Sequence, residues 1–263
     1  MKPTRSASYS PCQGVRMPTD HFDGASAEHY DADHADRFAD DVVGPTVEFL
    51  ASLLGDDPRP SALELAIGTG RIALPLGAAG VEVDGVDLSA AMLRALCAKP
   101  GGDALRTEQG DMATVDMGRT YGLVYLVFNT IGNVMTQDAQ VACFRNAARH
   151  LEPGGHFVVE CSVPAPGLVV PGAPGVVFDA SERHVGLDRV TDLVAQQAES
   201  RHFQIGRDGR VRTGRTPYRF VWPSELDLMA QLADMGPVER WADWHRAPFV
   251  ATSPSHVSVW RRR

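Results

Sequence analysis

The sequence predicts an α/β protein, a doubly wound, mainly parallel sheet of seven strands with an antiparallel insertion after the fifth. Three observations carry this. Between Ala62 and Val163 short apolar runs alternate with segments of helical apolar spacing, the pattern of β-α-β units. Past a Pro/Gly-rich stretch, Pro164–Gly175, the texture changes to alternating β-type residues from Val176 to Trp222. Two further strand candidates, near Val238–Trp244 and His256–Trp260, close the chain. Its 263 residues suit one domain with an elaboration.

Residues 1–26 are set apart as a disordered leader, because MKPTRSASYSPCQGVRMPTD is polar, contains proline and lacks apolar periodicity; Met17 is a second candidate start. Residues 27–263 form the domain. Tyr30, His34, Phe38, Val42 and Val43, then Val47, Phe49, Leu50, Leu53 and Leu54, follow helical spacing on either side of Gly44-Pro45, where two helices should meet. Five parallel strands are expected at Ala62–Ala66, Val81–Val86, Leu105–Glu108, Leu123–Phe128 and Phe157–Val163. Helices fall at Arg71–Ala79, Ala90–Ala98 and Gln137–Leu151, and Pro75 should kink the first by removing the bond to the carbonyl of Arg71. Residues 164–222 make the insertion, with a hairpin turn at Gly206-Arg207-Asp208-Gly209. Pro223-Ser224-Glu225-Leu226 opens a helix to Met235, stopped by Gly236-Pro237.

A formal net charge of −8 would repel phosphate backbones and anionic membranes, so neither nucleic acid nor membrane is an expected partner. The basic residues from Arg207 to Arg219 and the terminal Arg261-Arg262-Arg263 are expected to be a solvated hairpin and tail. Cys12, Cys97, Cys143 and Cys161 show no C-x-x-C pair and no metal-ligand spacing, which points to a reducing compartment and no metal. No membrane-spanning run or signal peptide is present, so a cytoplasmic protein is expected.

The strongest chemical signal is Leu63-Glu64-Leu65-Ala66-Ile67-Gly68-Thr69-Gly70-Arg71, a strand entering a glycine turn that opens a helix. Gly68 and Gly70 let the backbone approach a ligand, and the helix N-terminus offers free N–H groups. The third glycine of the dinucleotide fingerprint is missing, since position 73 is Ala. The second strand ends at Asp87, 17 residues after Gly70, where a carboxylate can accept both hydroxyls of a ribose. A helix N-cap is the alternative for Asp87, although Ser89 already suits that position. Asp111, in Gln109-Gly110-Asp111-Met112, can accept from an adenine amine while Leu88 and Met112 sandwich the ring.

These motifs together resemble class I S-adenosylmethionine-dependent methyltransferases, over about Glu28 to Arg261. ELAIGTGR is similar to the family's first motif, VDGVDLS to the second and QGDM to the third. QGDM followed by YLVFNTIGNV and LEPGGHFVVE resembles actinobacterial small-molecule methyltransferases, including sugar N-methyltransferases of antibiotic pathways. The resemblance implies a Rossmann-like domain that binds S-adenosylmethionine and releases S-adenosylhomocysteine, with natural-product biosynthesis as the setting. It places Tyr30, Glu64, Gly68 and Gly70 around the methionine part, Asp87 at the ribose, and Asp111 with Met112 at the adenine, and Arg71, Leu88 and Met92 are further expected cofactor-binding residues. Phe128 and Asn129 match the wall beside the sulfonium. Ala66 departs from the pattern, standing where the first glycine is usual.

Two other functions compete. A nicotinamide-dependent oxidoreductase shares the sheet and the first acid, but the missing glycine and the added Gly-Asp-Met count against it. An inactive cofactor-binding interaction protein is disfavoured by the intact set of cofactor residues. The acceptor is expected to be a small molecule. Asn129, with Thr130 and Asn133 beyond it, is expected to position the acceptor. His245 and Glu160 are the candidate bases, with a surface histidine and a structural hydrogen bond as their plainer alternatives. The insertion should form a lid or a homodimer contact.

Overall fold

The computed structural model describes residue 20 and residues 24–170, 175–206 and 208–263. Residues 1–19 and 21–23 of the expected leader, with Cys12 and Met17, lie outside the described residues, as do 171–174 of the Pro/Gly stretch and Arg207 of the hairpin turn.

Helix α1 (Gly24–Asp33) begins inside the expected leader, and a 3-10 turn (Ala35–Phe38) separates it from α2 (Asp40–Ser52). The break thus falls at His34–Ala39, and Gly44-Pro45 lies within α2, which corrects the expected boundary. Pro45 leaves only the carbonyl of exposed Asp41 without its N–H partner, while α2 buries Val43, Phe49 and Leu50 against the sheet; packing outweighs the local preference.

The chain then runs through β1 (Ser61–Leu65), α3 (Ala73–Ala78), β2 (Glu82–Asp87), α4 (Ala90–Cys97), β3 (Arg106–Gln109) and β4 (Tyr121–Leu126). A 3-10 turn (Thr130–Asn133), α5 (Gln137–His150) and β5 (Leu151–Ser162) follow. Leu74 N bonds the carbonyl of Gly70 and Leu76 N that of Ile72, so the bond missing between them is the one Pro75 would make to the carbonyl of Arg71, and regular helix begins only at Ala73. After β5 come β6 (Val176–Ala180), β7 (His184–Asp192), β8 (Gln197–Ile205), β9 (Val211–Arg219), α6 (Pro223–Gln231), β10 (Met235–Trp241) and β11 (Ser255–Arg262). Helix α6 ends short of Met235, and Gly236-Pro237 belongs to β10 instead of stopping the helix. A proline is tolerated there because β10 is an edge strand.

The main sheet has 7 strands in the order β10-β11-β5-β4-β1-β2-β3. Strands β1 to β5 are mutually parallel, and β11 is antiparallel to both β5 and β10. The connections reverse direction at β1, between β2 and β4, which opens a crevice beyond the strand carboxyl ends. One sheet face buries Phe144, Phe157 and Trp260 beneath α5 and α6; the other buries Phe49, Leu50, Ile72, Leu76 and Leu96 beneath α2, α3 and α4.

The insertion is a separate 4-stranded antiparallel sheet, β6-β7-β8-β9. Its basic residues Arg210, Arg212 and Arg215 are exposed, as composition suggests, whereas Arg219 is buried. Arg212 pairs with Asp33 of α1 at 2.8 Å, Arg215 with Glu199, and buried Arg219 bonds Gln140 of α5 and Glu225 of α6. The terminal arginines are likewise engaged, Arg261 with the carbonyl of Gly154 and Arg262 with that of Leu151. Among the described residues no helix is long and apolar enough to cross a membrane.

Candidate functional site

The glycine turn leaves β1 at the point where the sheet reverses. Ala66, Gly68 and Gly70 all take left-handed backbone, with φ of 59°, 56° and 81°. The two glycines serve different ends. A Cβ at Gly68 would meet no atom within 4 Å, so this backbone faces open space, whereas one at Gly70 would stand 2.3 Å from Leu96 Cδ1. Gly70 thus admits α4 against the turn. Ala66 shows that the first motif position needs a left-handed residue more than it needs the absence of a side chain.

The Gly68 N–H donates to Asp87 Oδ2 at 2.7 Å. Asp87 Oδ1 accepts from Ser89 N at 2.8 Å, and Ser89 caps α4 through Met92 N. Burial pushes the Asp87 carboxyl above the usual range, against the backbone donors Ser89, Gly68 and Leu88. Glu64, in the middle of β1, is 3% exposed and accepts from the Tyr125 hydroxyl at 2.9 Å and from Ala73 N. Burial pushes its carboxyl up to about 8.

Leu88 is half-buried after Asp87, and Met92 packs inward at the start of α4. The loop after β3 is held beside them, because Gly110 N donates to the carbonyl of Asp87 at 2.9 Å. In that loop Asp111 Oδ1 accepts from Ala113 N, and Asn146 of α5 donates to the carbonyls of Met112 and Val115.

Phe128 and Asn129, past the end of β4, also take left-handed backbone, φ 59° and 58°. Such a pair costs on the order of 1 kcal/mol or more per residue and needs support. Glu160 supplies it by accepting from Phe128 N at 2.7 Å, and Asn129 Oδ1 accepts from Ser162 N at 3.1 Å. Glu160 and Asn129 are therefore engaged in holding the turn. Thr130 bonds the carbonyl of Val127, and Asn133 ends the 3-10 turn.

Helix α1 lies across the glycine turn. Asp31 accepts from the Thr69 hydroxyl at 2.6 Å and pairs with Lys99 at 2.5 Å, and Lys99 also donates to the carbonyl of Thr69. The Tyr30 phenol is buried among Arg71, Asp87, Asp31 and Glu64, and burial raises its pKa. Its ring adjoins His34, which stands edge-on to Phe128 at 6.0 Å. The guanidiniums of Arg71 and Arg37 lie over the Phe128 ring at 5.1 and 5.6 Å. Of these, Asp31, Thr69, Lys99 and Arg37 were not singled out from the sequence; no local pattern marks them.

His245 is not brought to this group by any contact among the described residues. It sits exposed on the turn after β10, whose neighbours Trp244 and Arg246 pack on Phe49 of α2, with Arg246 also reaching Ser52.

Residues 62–155, from β1 into β5, match a family described as a methyltransferase domain. The CcbJ methyltransferase from Streptomyces caelestis is 39% identical over 83% of this chain and 88% of that one, with a TM-score of 0.73. The cypemycin N-terminal methyltransferase of a Streptomyces species is 28% identical over 205 residues, 77% of this chain and 83% of that protein. A dTDP-3-amino-3,6-dideoxy-alpha-D-glucopyranose N,N-dimethyltransferase from Streptomyces fradiae is 31% identical over 144 residues, 54% of this chain and 55% of that protein. With the seven-stranded order and the glycine turn at its reversal, these similarities make the chain a member of the class I S-adenosylmethionine-dependent methyltransferases, of the actinobacterial natural-product type.

Proposed function

We propose that the protein methylates an amine nitrogen of a small-molecule acceptor in specialised metabolism, in a crevice between the glycine turn and the Phe128–Asn129 wall. The observation that carries this is the wall itself. Glu160 Oε2 and Asn129 Oδ1 each accept from a backbone N–H there, which assigns both to shaping the wall and favours a nucleophile that needs desolvation and loss of a proton more than strong activation. The names of the relatives, an N-terminal methyltransferase for cypemycin and N,N-dimethyltransferases for amino sugars, support the same choice.

The residues fit the cofactor. At Gly68 the backbone is open where a Cβ would intrude, and the Asp87 carboxylate lies beside it. We assign Tyr30, Glu64, Gly68 and Arg71 to the methionine end, Asp87 to the ribose, and Leu88, Met92, Asp111 and Met112 to the adenine. Gly70 acts through packing on Leu96. Bound there, S-adenosylmethionine supplies a sulfonium methyl. Phe128 and Asn129 shape the passage by which the acceptor nitrogen meets it, and Glu160 positions both. We assign the antiparallel sheet to closing the crevice in preference to pairing two copies, because Arg212 spans to Asp33 on α1. The free thiols of Cys97, Cys143 and Cys161 support a reducing, cytoplasmic setting.

The test has two arms. At a concentration 100 times its Kd, S-adenosylhomocysteine should add about 2.7 kcal/mol, a melting shift of roughly 5–10 °C, and NAD should add none. Release of S-adenosylhomocysteine is then followed with dTDP-amino sugars, peptides bearing a free amino terminus, and catechols. A shift with NAD alone would end the methyltransferase assignment of the crevice, and turnover confined to catechols would end the amine reading.

A further inference from the structure

The inner face of the antiparallel sheet carries a continuous line of polar side chains. Asp179 Oδ2 lies 2.5 Å from His184 Nδ1, His184 Nε2 lies 2.9 Å from His202 Nδ1, and His202 Nε2 lies 3.2 Å from Ser200 Oγ. Tyr218 O–H donates to Asp188, and Ser200 Oγ lies within hydrogen-bond reach of both Asp188 and His202 Nε2. The register sets all of these on one face, since Gly186 opposes His202, Asp188 opposes Ser200 and Tyr218 opposes Ala198. The two imidazoles stack at 5.2 Å, and Phe178 seats its edge against His202 over Gly186, where a Cβ would strike the ring at 2.3 Å.

The line has an inner and an outer end. Tyr218 Cβ and Asn129 Nδ2 both adjoin Gly132, 3.5 and 3.8 Å from where its Cβ would stand, so Tyr218, whose side chain bonds Asp188, springs from beside the turn that follows the wall. At the other end Asp179 is 44% exposed on β6, an edge strand. His34 faces His202 from the end of α1, and Arg212, on the same face, is tied to Asp33. Asp188 Oδ1 is buried and, among the described residues, has no hydrogen-bond partner. A carboxylate oxygen buried in that state is destabilising and is explained by a donor that arrives with a ligand.

We propose that Asp188 receives the acceptor's amino group and that Ser200, His202 and His184 carry one of its protons outward to the Asp179 edge. This rests on the amine reading above. When the nitrogen bonds to the methyl carbon and the carbon–sulfur bond breaks, the product is an ammonium with a proton to lose; a substrate that enters as an ammonium must lose one beforehand. Ser200 has one hydroxyl proton for two acceptors, Asp188 and His202 Nε2; when it turns to His202, with both rings neutral, the line is satisfied in one direction: Ser200 O–H donates to His202 Nε2, His202 Nδ1–H to His184 Nε2, and His184 Nδ1–H to Asp179, while Asp188 keeps the Tyr218 donor and receives the amine. A proton entering at Ser200 lets each group pass one on. The net result is a neutral amine at Asp188 and an imidazolium at His184, beside the Asp179 carboxylate. Burial and the neighbouring His184 and His34 lower the pKa of His202, which keeps that ring neutral and able to relay. Burial raises the Asp188 carboxyl, which makes it the stronger acceptor. The rings bond to each other, and among the described residues no group of His, Cys, Asp or Glu could hold a metal ion.

Two measurements on the full chain, saturated with S-adenosylhomocysteine for the first, test this. Long-range proton–nitrogen NMR at alkaline pH should show His184 and His202 both as Nδ1–H tautomers, with His184 changed in Asp179→Asn; an Nε2–H tautomer on either ring overturns the relay. With the fastest amine of the panel, His184→Gln and His202→Gln should lower kcat roughly 100-fold at neutral pH while leaving KM and S-adenosylhomocysteine affinity nearly unchanged. That loss should shrink as pH rises towards the amine's own pKa, and added imidazole should restore rate to His202→Gly. Wild-type kcat in both variants, or a loss independent of pH and not rescued, overturns the relay. If only catechols are turned over, the amine reading falls, and the same variants measured on catechol decide the relay separately. If the panel gives no turnover at all, the tautomers decide it.

Discussion

Asp31 and Thr69 are joined by a 2.6 Å hydrogen bond although 38 residues separate them, and Lys99 completes the latch by pairing with Asp31 and donating to the carbonyl of Thr69. This latch fastens α1 across the glycine turn, so the stretch of chain ahead of β1 becomes part of the crevice wall. Asp31→Ala should therefore weaken S-adenosylhomocysteine binding more than it weakens the fold. Since Asp31 is 41% exposed, we discount its charged contacts to about 1 kcal/mol, a three- to tenfold rise in Kd. Titration calorimetry with a parallel melting curve separates the two effects; an unchanged Kd would mean α1 does not cover the ligand.

Two glycines of one turn should respond differently to the same substitution. Gly68→Ala meets no steric contact, carries only the cost of a left-handed alanine, about 1 kcal/mol, and puts a methyl into the crevice, so it should fold and lose cofactor affinity. Gly70→Ala drives its methyl into Leu96 and should lower Tm first. Similar melting curves for the two variants would refute this division.

Glu64 gives the ligand-free protein a pH dependence of definite sign. Its folded carboxyl is raised to about 8 by burial, so the folded state holds a proton that the unfolded state releases at its ordinary, lower pKa. The stability this contributes is fully present below the unfolded pKa and is lost as pH rises through about 8. Glu64→Gln keeps a partner for Tyr125 and removes the titration, so its Tm should fall less between mildly acidic and mildly alkaline pH than that of the wild type. Parallel curves for both proteins would assign the proton elsewhere.

Asp87 cannot be a ligand group alone, because it holds Gly68 N and Ser89 N. Asp87→Ala should thus weaken cofactor binding by roughly 1–3 kcal/mol and also destabilise the fold by about that amount, since two buried donors lose their acceptor. Calorimetry and denaturant unfolding on the same preparation check both losses; loss of affinity without loss of stability would show that the backbone donors find other partners.

His245→Ala should leave kcat and its pH profile unchanged, because His245 lies on the exposed turn packed over α2. Trp244→Ala beside it should cost about 2–4 kcal/mol through lost packing on Phe49. A large kcat effect at His245 would require that turn to reach the crevice.

What the amino-acid sequence determines by itself is what depends on short-range periodicity and on single-residue backbone demands. The alternation from Ala62 to Val163, the Gly68 turn, Asp87 at the end of β2, the Ser89 cap and the change to an antiparallel insertion are all legible for that reason. Local preference misled at Pro45, since the burial of its helix outweighs the residue's own tendency. Only the tertiary structure brings Asp31 to Thr69, Glu160 to Phe128 and His184 to His202, residues 38, 32 and 18 apart. Which faces those side chains share is set by strand order and register across the sheets, and register emerges from long-range packing that no window of sequence contains.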